Sequence, residues 1–144
     1  MPEFTVEKTV DAPLEAMWAL VSDFANLDWY DGAERVEKEG EGIGQRRRIY
    51  MPGSEDPVEE ELLTLDPAAH RFQYAVLEGG MNIMQDYVVT AHLSDAGAGK
   101  TLARWDASFS GVSVDGVEPD MMIGVMSEMY DTMLDTMAAA CVDS

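Results

Sequence analysis

Two charged residues stand where the sequence pattern otherwise has apolar side chains. Arg47 alternates with Ile49 in one strand-like segment, and Glu60 alternates with Leu62 in the next. Since alternate residues of a strand share a face, both charges are predicted to point inward, where a charge is tolerated only when it is paired. We therefore expect an ion pair between Arg47 and Glu60 in the wall of an interior space. A carboxylate without arginine could instead act as a general acid or base, which makes Glu60 a candidate catalytic residue.

Three aromatic residues fall on the apolar faces of later strands, and they are Tyr74, Tyr87 and Trp105. A buried tyrosine hydroxyl needs a hydrogen-bond partner, which is protein, water or a ligand. A core role and a ligand-binding role therefore both stay open for the two tyrosines. On the last strand, the residues predicted to face the interior are Thr101, Ala103, Trp105, Ala107 and Phe109.

Methionine is concentrated in the last helical segment. Six of the 11 methionines lie there, at Met121, Met122, Met126, Met129, Met133 and Met137. A thioether on a flexible stem adapts to irregular shapes, which suits a cavity for apolar ligands, although the same stripe also fits an ordinary core. We take Met126, Met129 and Met133 as candidate ligand contacts.

Metal and phosphate sites are not expected, because the spacings do not fit them. His70 and His92 have no cysteine or histidine companions at metal-ligand intervals. The glycine-rich segment at residues 40–44 is followed neither by a helix nor by Gly-Lys-Ser or Gly-Lys-Thr, which indicates a turn and not a phosphate-binding loop. No organic cofactor is expected either.

Composition narrows the class of protein. The 144 residues are 47% apolar, enough for one sizeable core, and we expect a single domain over residues 1–144. The formal net charge of −19 makes nucleic acid and anionic membrane surfaces poor partners, and it indicates either a preference for cationic ligands or simply a solvated acidic surface. The lone Cys141, the lack of a signal-peptide pattern and the lack of a membrane-length apolar run predict a cytoplasmic protein. A monomer or a homodimer is expected.

The periodicities predict the elements that position these residues. Strand-like segments are predicted at residues 4–10, 34–39, 45–51, 58–65, 70–78, 85–94 and 100–110. Two short helices follow the first strand, one after Pro13 and one from Phe24 to about Tyr30, closed by Gly32. Short links between consecutive strands imply an antiparallel meander, and the residues Pro119–Val142 are predicted to form one long amphipathic helix.

Six segments stand in order along the chain: "MWALVSDFANLDWYDG", "GIGQRRRIYMPGS", "VEEELLTLD", "FQYAVLEG", "DYVVTAHL" and "TLARWDASFSG". Over nearly the whole chain they resemble the START-like (SRPBCC) superfamily, and within it the polyketide cyclase/dehydrase and lipid-transport family. The resemblance implies an α+β helix-grip fold, in which a curved antiparallel sheet of about seven strands wraps around a long C-terminal helix and leaves a hydrophobic cavity. It also implies that the two short helices, with Trp29 and Tyr30, close one end of the cavity. Relatives tend to carry arginine and glutamate at the positions of Arg47 and Glu60.

Two functions follow as hypotheses. The first is binding or transport of a small hydrophobic or aromatic ligand, with candidate contacts at Trp29, Arg47, Glu60, Tyr74, Tyr87, Trp105, Met126, Met129 and Met133. The alternative is a polyketide cyclase or dehydratase-type enzyme, in which Glu60 or a tyrosine transfers a proton without a metal or an organic cofactor. A third hypothesis, a structural subunit whose cavity is filled by its own side chains, leaves no ligand site.

Overall fold

The predicted strands are all present in the structure, a computed structural model that describes residues 2–30, 33–77, 79 and 82–142. The strands are β1 (Glu3–Val10), β2 (Arg35–Glu39), β3 (Arg46–Tyr50), β4 (Val58–Asp66), β5 (Arg71–Val76), β6 (Met84–Gln85), β7 (Tyr87–Gly97), β8 (Lys100–Ser108) and β9 (Gly111–Val112). The helices are α1 (Leu14–Ser22) and α2 (Pro119–Val142), so the long helix has the predicted bounds.

Seven strands form one antiparallel sheet in the order β1-β8-β7-β5-β4-β3-β2. From β2 to β8 the large-sheet strands follow one another as the predicted meander, and β1 returns to pair with β8. The predicted α+β helix-grip fold with about seven strands is thereby confirmed. Two very short strands that the sequence pattern did not reveal, β6 and β9, pair with each other outside this sheet.

One face of the sheet is almost continuously apolar. All five residues predicted to face inward on the last strand, from Thr101 to Phe109, are at most 4% exposed, whereas Arg104 between them is exposed. Tyr74 of β5 and Tyr87 of β7 lie on the same buried face. Because side chains alternate along each strand, this face needs a second layer to cover it.

Helix α2 supplies that layer, and its two parts differ: a first half taken as residues 119–129 and a second half taken as residues 130–142. Among its described side chains, the buried ones lie in the second half, at Tyr130, Leu134, Met137 and Ala138. The side chains of the first half that pack against the core are only partly buried, at Met122, Ile123, Met126 and Met129. Lys8 of β1 ties the second half to the sheet through ion pairs with Asp131 (3.2 Å) and Asp135 (2.7 Å). The first half therefore covers the sheet less closely than the second.

One predicted detail needs correction, because α1 is the only short helix in the described segment after β1. Residues 24–30 form two successive turns instead, closed by backbone hydrogen bonds of 2.9 Å across 23–26 and across 27–30. Asn26 competes with helix formation, since its side chain accepts from the backbone N–H of Asp28 (3.2 Å) and its carbonyl accepts from the indole of Trp29 (3.1 Å). Gly32, predicted to close the helix, and residues 80–81, between the predicted strands at 70–78 and 85–94, lie outside the described residues.

Candidate ligand-binding cavity

A cavity of about 240 Å³ lies between α2 and the apolar face of the sheet. For comparison, an apolar cavity of roughly 150 Å³ holds benzene, and a single water needs only about 10–15 Å³ of such space. The hollow is therefore far larger than a packing defect. All nine residues predicted as ligand contacts line it, namely Trp29, Arg47, Glu60, Tyr74, Tyr87, Trp105, Met126, Met129 and Met133.

The sheet and the helix contribute walls of different character. The sheet contributes three rigid aromatic side chains from the neighbouring strands β5, β7 and β8, at Tyr74, Tyr87 and Trp105. The helix contributes flexible thioethers that recur at three and four residues and so share one face, at Met126, Met129 and Met133. One wall therefore has a fixed shape, and the wall opposite can adapt to what it contacts.

Arg47 and Glu60 form the predicted ion pair in the cavity wall. The two residues are direct partners in the β3–β4 register. The guanidinium donates from Nε (2.7 Å) and from Nη2 (2.6 Å) to the same carboxylate oxygen, Glu60 Oε1, and the two side chains are only 11% and 10% exposed. Glu60 is therefore not a lone carboxylate, and its geometry is that of a held counter-ion.

Arg47 makes further contacts that fix its position. Its Nη1 donates to the carbonyl oxygen of Phe24, and its guanidinium carbon lies 3.9 Å from the ring centre of Phe24 and 5.2 Å from that of Tyr74. A guanidinium over an aromatic face is attracted by the ring quadrupole, more strongly where water is excluded. Arg47 of β3 thus contacts Glu60 of β4, Phe24 of the turn segment at 23–30 and the ring of Tyr74 in the cavity wall.

Three buried tyrosines, Tyr74, Tyr87 and Tyr130, line the cavity. The hydroxyl groups of Tyr87 and Tyr130 are hydrogen-bonded to each other, across the gap between β7 and α2. Burial raises the pKa of Tyr74, Tyr87 and Tyr130 above the ordinary tyrosine value. Below alkaline pH these groups are therefore neutral hydroxyls that donate and accept hydrogen bonds.

The turn segment at 23–30 forms a rim of the cavity. Trp29 and Tyr30 are both partly buried, and their ring centres are 5.8 Å apart. The indole N–H of Trp29 donates a hydrogen bond to the carbonyl oxygen of Asn26. The part of Trp29 that lines the cavity is therefore its apolar ring surface. Asp23, which is exposed, also lines the cavity, and this marks the rim as a side that solvent reaches.

Several lining residues were not predicted as ligand contacts, and three of them make specific contacts in the cavity wall. Tyr130 lies on the same helix face as Met126 and Met133, and its helical phase was a signal that could have found it. Phe24 was assigned to a helix, not to a site, and its contact with Arg47 depends on the fold. Asn82 anchors its segment by donating from Nδ2 to three backbone carbonyls at 3.0–3.2 Å, for which the sequence holds no signal.

The described ranges of the chain contain neither a candidate metal site nor a candidate membrane-spanning helix. No group of three or more histidine, cysteine, aspartate or glutamate side chains is arranged there to hold a metal ion. Neither described helix combines the length and the apolar content that a membrane span requires.

A hollow between an antiparallel sheet and a long C-terminal helix defines the class of helix-grip proteins, the START-like (SRPBCC) superfamily. The chain belongs to the family described as "Polyketide cyclase / dehydrase and lipid transport", whose sequence model matches residues 1–142. None of the curated proteins compared with the sequence matches it.

Several solved structures share the fold at low sequence identity. The protein XoxI from Bacillus cereus superposes with a TM-score of 0.83 at 19% identity, over 99% of this chain and 97% of that one. The Zhui aromatase/cyclase from Streptomyces sp. R1128 gives a TM-score of 0.78 at 21% identity, over 97% and 93%. Norcoclaurine synthase from Thalictrum flavum, solved in complex with dopamine and hydroxybenzaldehyde, gives 0.74 at 17% identity, over 99% and 87%. At such identities the likeness establishes the fold alone.

Proposed function

We propose that the protein binds a small hydrophobic or aromatic molecule non-covalently in the cavity, as a carrier or a sensor. The observation that carries the proposal is the unfilled apolar hollow itself. A hollow of about 240 Å³ leaves its apolar lining without the packing contacts that the rest of the core makes, and such a gap lowers the stability of the folded state. A ligand that fills the void recovers much of that stability, whereas a purely structural protein gains nothing from keeping it.

The size of the cavity points to a ligand of about two fused rings. Its volume is between that of a benzene-sized cavity, roughly 150 Å³, and that of the pockets which hold drug-sized molecules, about 300–1,000 Å³. Affinity would come mainly from apolar area removed from water, at roughly 25 cal/mol per Å². A longer molecule would extend past the rim at Trp29 and Tyr30.

A cyclase or dehydratase activity in the same cavity is the second candidate, and the description of the family favours it. Such an enzyme needs a group that gives or takes a proton near neutral pH. Glu60 is held by Arg47, and burial raises the pKa of the three cavity tyrosines, so the polar groups suit binding better than proton transfer. Turnover of polyketide-like substrates with a bell-shaped pH profile that Glu60→Gln abolishes would support the enzyme, and no turnover above background would end that hypothesis.

Native mass spectrometry of the purified protein tests the binding function, since a copurified small molecule of one to two rings is expected. A titration with the neutral fluorescent probe N-phenylnaphthylamine complements it. Met129→Trp fills the cavity and should abolish probe binding, whereas Met121→Trp, at a position on the same helix that is 56% exposed, should not. Equal binding by both variants, or no binding by the unaltered protein, would contradict the proposal.

A further inference from the structure

The outer side of α2 has a groove of its own, separate from the cavity beneath the helix. Six residues of α2 recur at three and four positions and so form one continuous stripe along the helix, namely Val125, Glu128, Met129, Thr132, Met133 and Thr136. Together with Tyr30 of the turn segment they line an open groove of about 410 Å³, which we call the α2 groove. From residue 125 to residue 136 it follows about 17 Å of helix, which is about three turns.

The α2 groove exposes apolar surface. Val125 is 60% exposed, and Met129 and Met133 are only partly buried. The hydroxyl of Thr136 donates to the carbonyl oxygen of Thr132 (3.2 Å), so Thr136 can be covered without leaving a donor unmatched. Exposed apolar surface that is rimmed by polar side chains is typical of a site where another molecule binds.

The charge around the α2 groove has one sign. All nine basic residues of the chain lie in strands of the large sheet, and they are Lys8, Arg35, Lys38, Arg46, Arg47, Arg48, Arg71, Lys100 and Arg104. Helix α2 has no basic residue, whereas it carries four acidic ones, at Asp120, Glu128, Asp131 and Asp135. The turn segment at 23–30 adds Asp23 and Asp28 and no basic residue either. The α2 groove therefore combines apolar surface with negative charge alone.

The carboxylate inside the α2 groove is available to a cation from another molecule. Asp131 and Asp135, on the flank of α2 that faces β1, already form ion pairs with Lys8. Glu128 lines the groove, is exposed, and has no cationic partner among the residues that the structure describes. A cation that approaches Glu128 therefore displaces no existing ion pair. A symmetric dimer through this face is disfavoured, because it would bring two acidic surfaces together.

We propose that the α2 groove docks an amphipathic helix of a partner protein, whose lysine or arginine side chains pair with Glu128. Its apolar side chains contact Val125, Met129 and Met133, since apolar residues at three-and-four spacing on one helix match the same spacing on another. Tyr30, Met129 and Met133 also line the ligand cavity, so the docked helix contacts the outer side of the cavity wall. The inference goes beyond the proposed ligand binding and does not depend on it.

Two synthetic peptides of leucine and lysine test the inference. The first is about 18 residues long, or about five helical turns, and has all its leucines on one face. The second has the same composition with the leucines distributed around the helix, and it controls for attraction by net charge alone. In fluorescence anisotropy at about 0.15 M salt, where charges are screened beyond about 8 Å, the amphipathic peptide should bind at least about tenfold more tightly than the control.

Val125→Lys should weaken binding of the amphipathic peptide by at least about tenfold, because it replaces an apolar contact by a cation that repels the peptide. Ile43→Lys makes the same change of charge at a position that is 65% exposed and lines neither the α2 groove nor the cavity, and it should change the affinity less than about twofold. Neither position lines the cavity, so both variants should bind N-phenylnaphthylamine as the unaltered protein does. Thermal unfolding shows that each variant is folded.

Three outcomes would overturn the inference and leave the ligand-binding proposal untouched. Equal affinities for the two peptides, or equal losses in Val125→Lys and Ile43→Lys, would show that net charge alone attracts the peptides. A dimer seen by analytical ultracentrifugation and abolished by Val125→Lys would assign the α2 groove to a second copy of the chain. Cosedimentation with phosphatidylcholine vesicles that Val125→Lys abolishes would assign it to a lipid surface.

Discussion

At the scale of single residues, the polar groups of the cavity are positioned by contacts from distant parts of the chain. Arg47 contacts Glu60 of the next strand, the backbone of Phe24 in the turn segment, and the ring of Tyr74. Removing two charges from water carries a large desolvation penalty, which only good geometry and additional hydrogen bonds offset. The pair is therefore better understood as a fixed feature of the wall than as a source of net stability.

Arg47→Met should destabilise the protein by roughly 3–5 kcal/mol, because it leaves the carboxylate of Glu60 in a site where the side chain is only 10% exposed. The double variant Arg47→Met with Glu60→Met should recover most of that loss, since no unpaired charge remains. On the other sheet face, Arg46 and Arg48 pair with Glu39, Glu59 and Glu61 and form a charge ladder across β2, β3 and β4. Arg46→Met, where the arginine side chain is 42% exposed, is the control and should change the unfolding free energy little. Urea unfolding measures all three, and equal losses for Arg46→Met and Arg47→Met would contradict the argument.

The cavity tyrosines predict a loss of stability at alkaline pH. Burial raises the pKa of Tyr74, Tyr87 and Tyr130 in the folded state, so the folded state holds these protons more tightly than the unfolded state. Their contribution is fully present below the ordinary tyrosine pKa of about 10 and is lost as the pH rises above it. Denaturant unfolding between neutral and alkaline pH measures the slope, which should be smaller in Tyr87→Phe. A slope that is the same in both proteins would be evidence against this.

At the scale of elements, α2 combines two tasks in one helix. Its second half is packed into the core and is tied to β1 by Lys8, although Met133 and Met137 of this half also line the cavity. Its first half contributes only partly buried methionines, which line the cavity. The same three-and-four spacing of apolar residues runs through both halves, and the halves differ in how closely they pack against the sheet. Substitutions in the two halves should therefore affect different properties.

Leu134→Ala, at a fully buried position, should cost about 2–5 kcal/mol of unfolding free energy and leave probe affinity nearly unchanged. Met126→Ala, at a partly buried position in the cavity lining, should cost less stability but weaken probe binding, because it removes wall area from the ligand. Denaturant unfolding and titration with N-phenylnaphthylamine measure the two effects. The division of α2 is wrong if Met126→Ala is as destabilising as Leu134→Ala, or if it leaves binding intact.

At the scale of the whole molecule, the dominant property is the net charge of −19. The chain has nine basic residues and 28 acidic ones. Several of the basic residues already form ion pairs, in the charge ladder across β2, β3 and β4 and between Lys8 and α2. Like charges on a compact surface repel one another, which favours the expanded chain over the folded one. Dissolved salt shortens the range of that repulsion, from about 30 Å at 0.01 M to about 8 Å at 0.15 M.

The melting temperature should therefore rise when sodium chloride is increased from about 0.01 M to about 0.5 M. Differential scanning calorimetry at fixed pH measures it, and potassium chloride at the same ionic strength should give the same rise, because screening depends on ionic strength and not on the cation. An unchanged or lower melting temperature would show that surface repulsion does not limit stability.

Much of the fold was predictable because its signals are local. The alternation in β8 placed Trp105 in the interior, the three-and-four spacing set the bounds of α2 at Pro119–Val142, and strand parity paired Arg47 with Glu60. The predicted second short helix failed for an equally local reason. The side chain of Asn26 accepts from the backbone N–H of Asp28, and the carbonyl of Asn26 accepts from the indole of Trp29, so both replace hydrogen bonds that a helix would make.

By itself, then, the sequence determined which elements form and which side chains face inward, because periods of 2 and 3.6 residues are properties of neighbouring residues. Only the tertiary structure decided how much space remains between α2 and the sheet, and that the hydroxyl groups of Tyr87 and Tyr130, 43 residues apart, meet there. Both depend on how segments far apart in the chain fill a shared volume, and no local pattern records the gap that they leave.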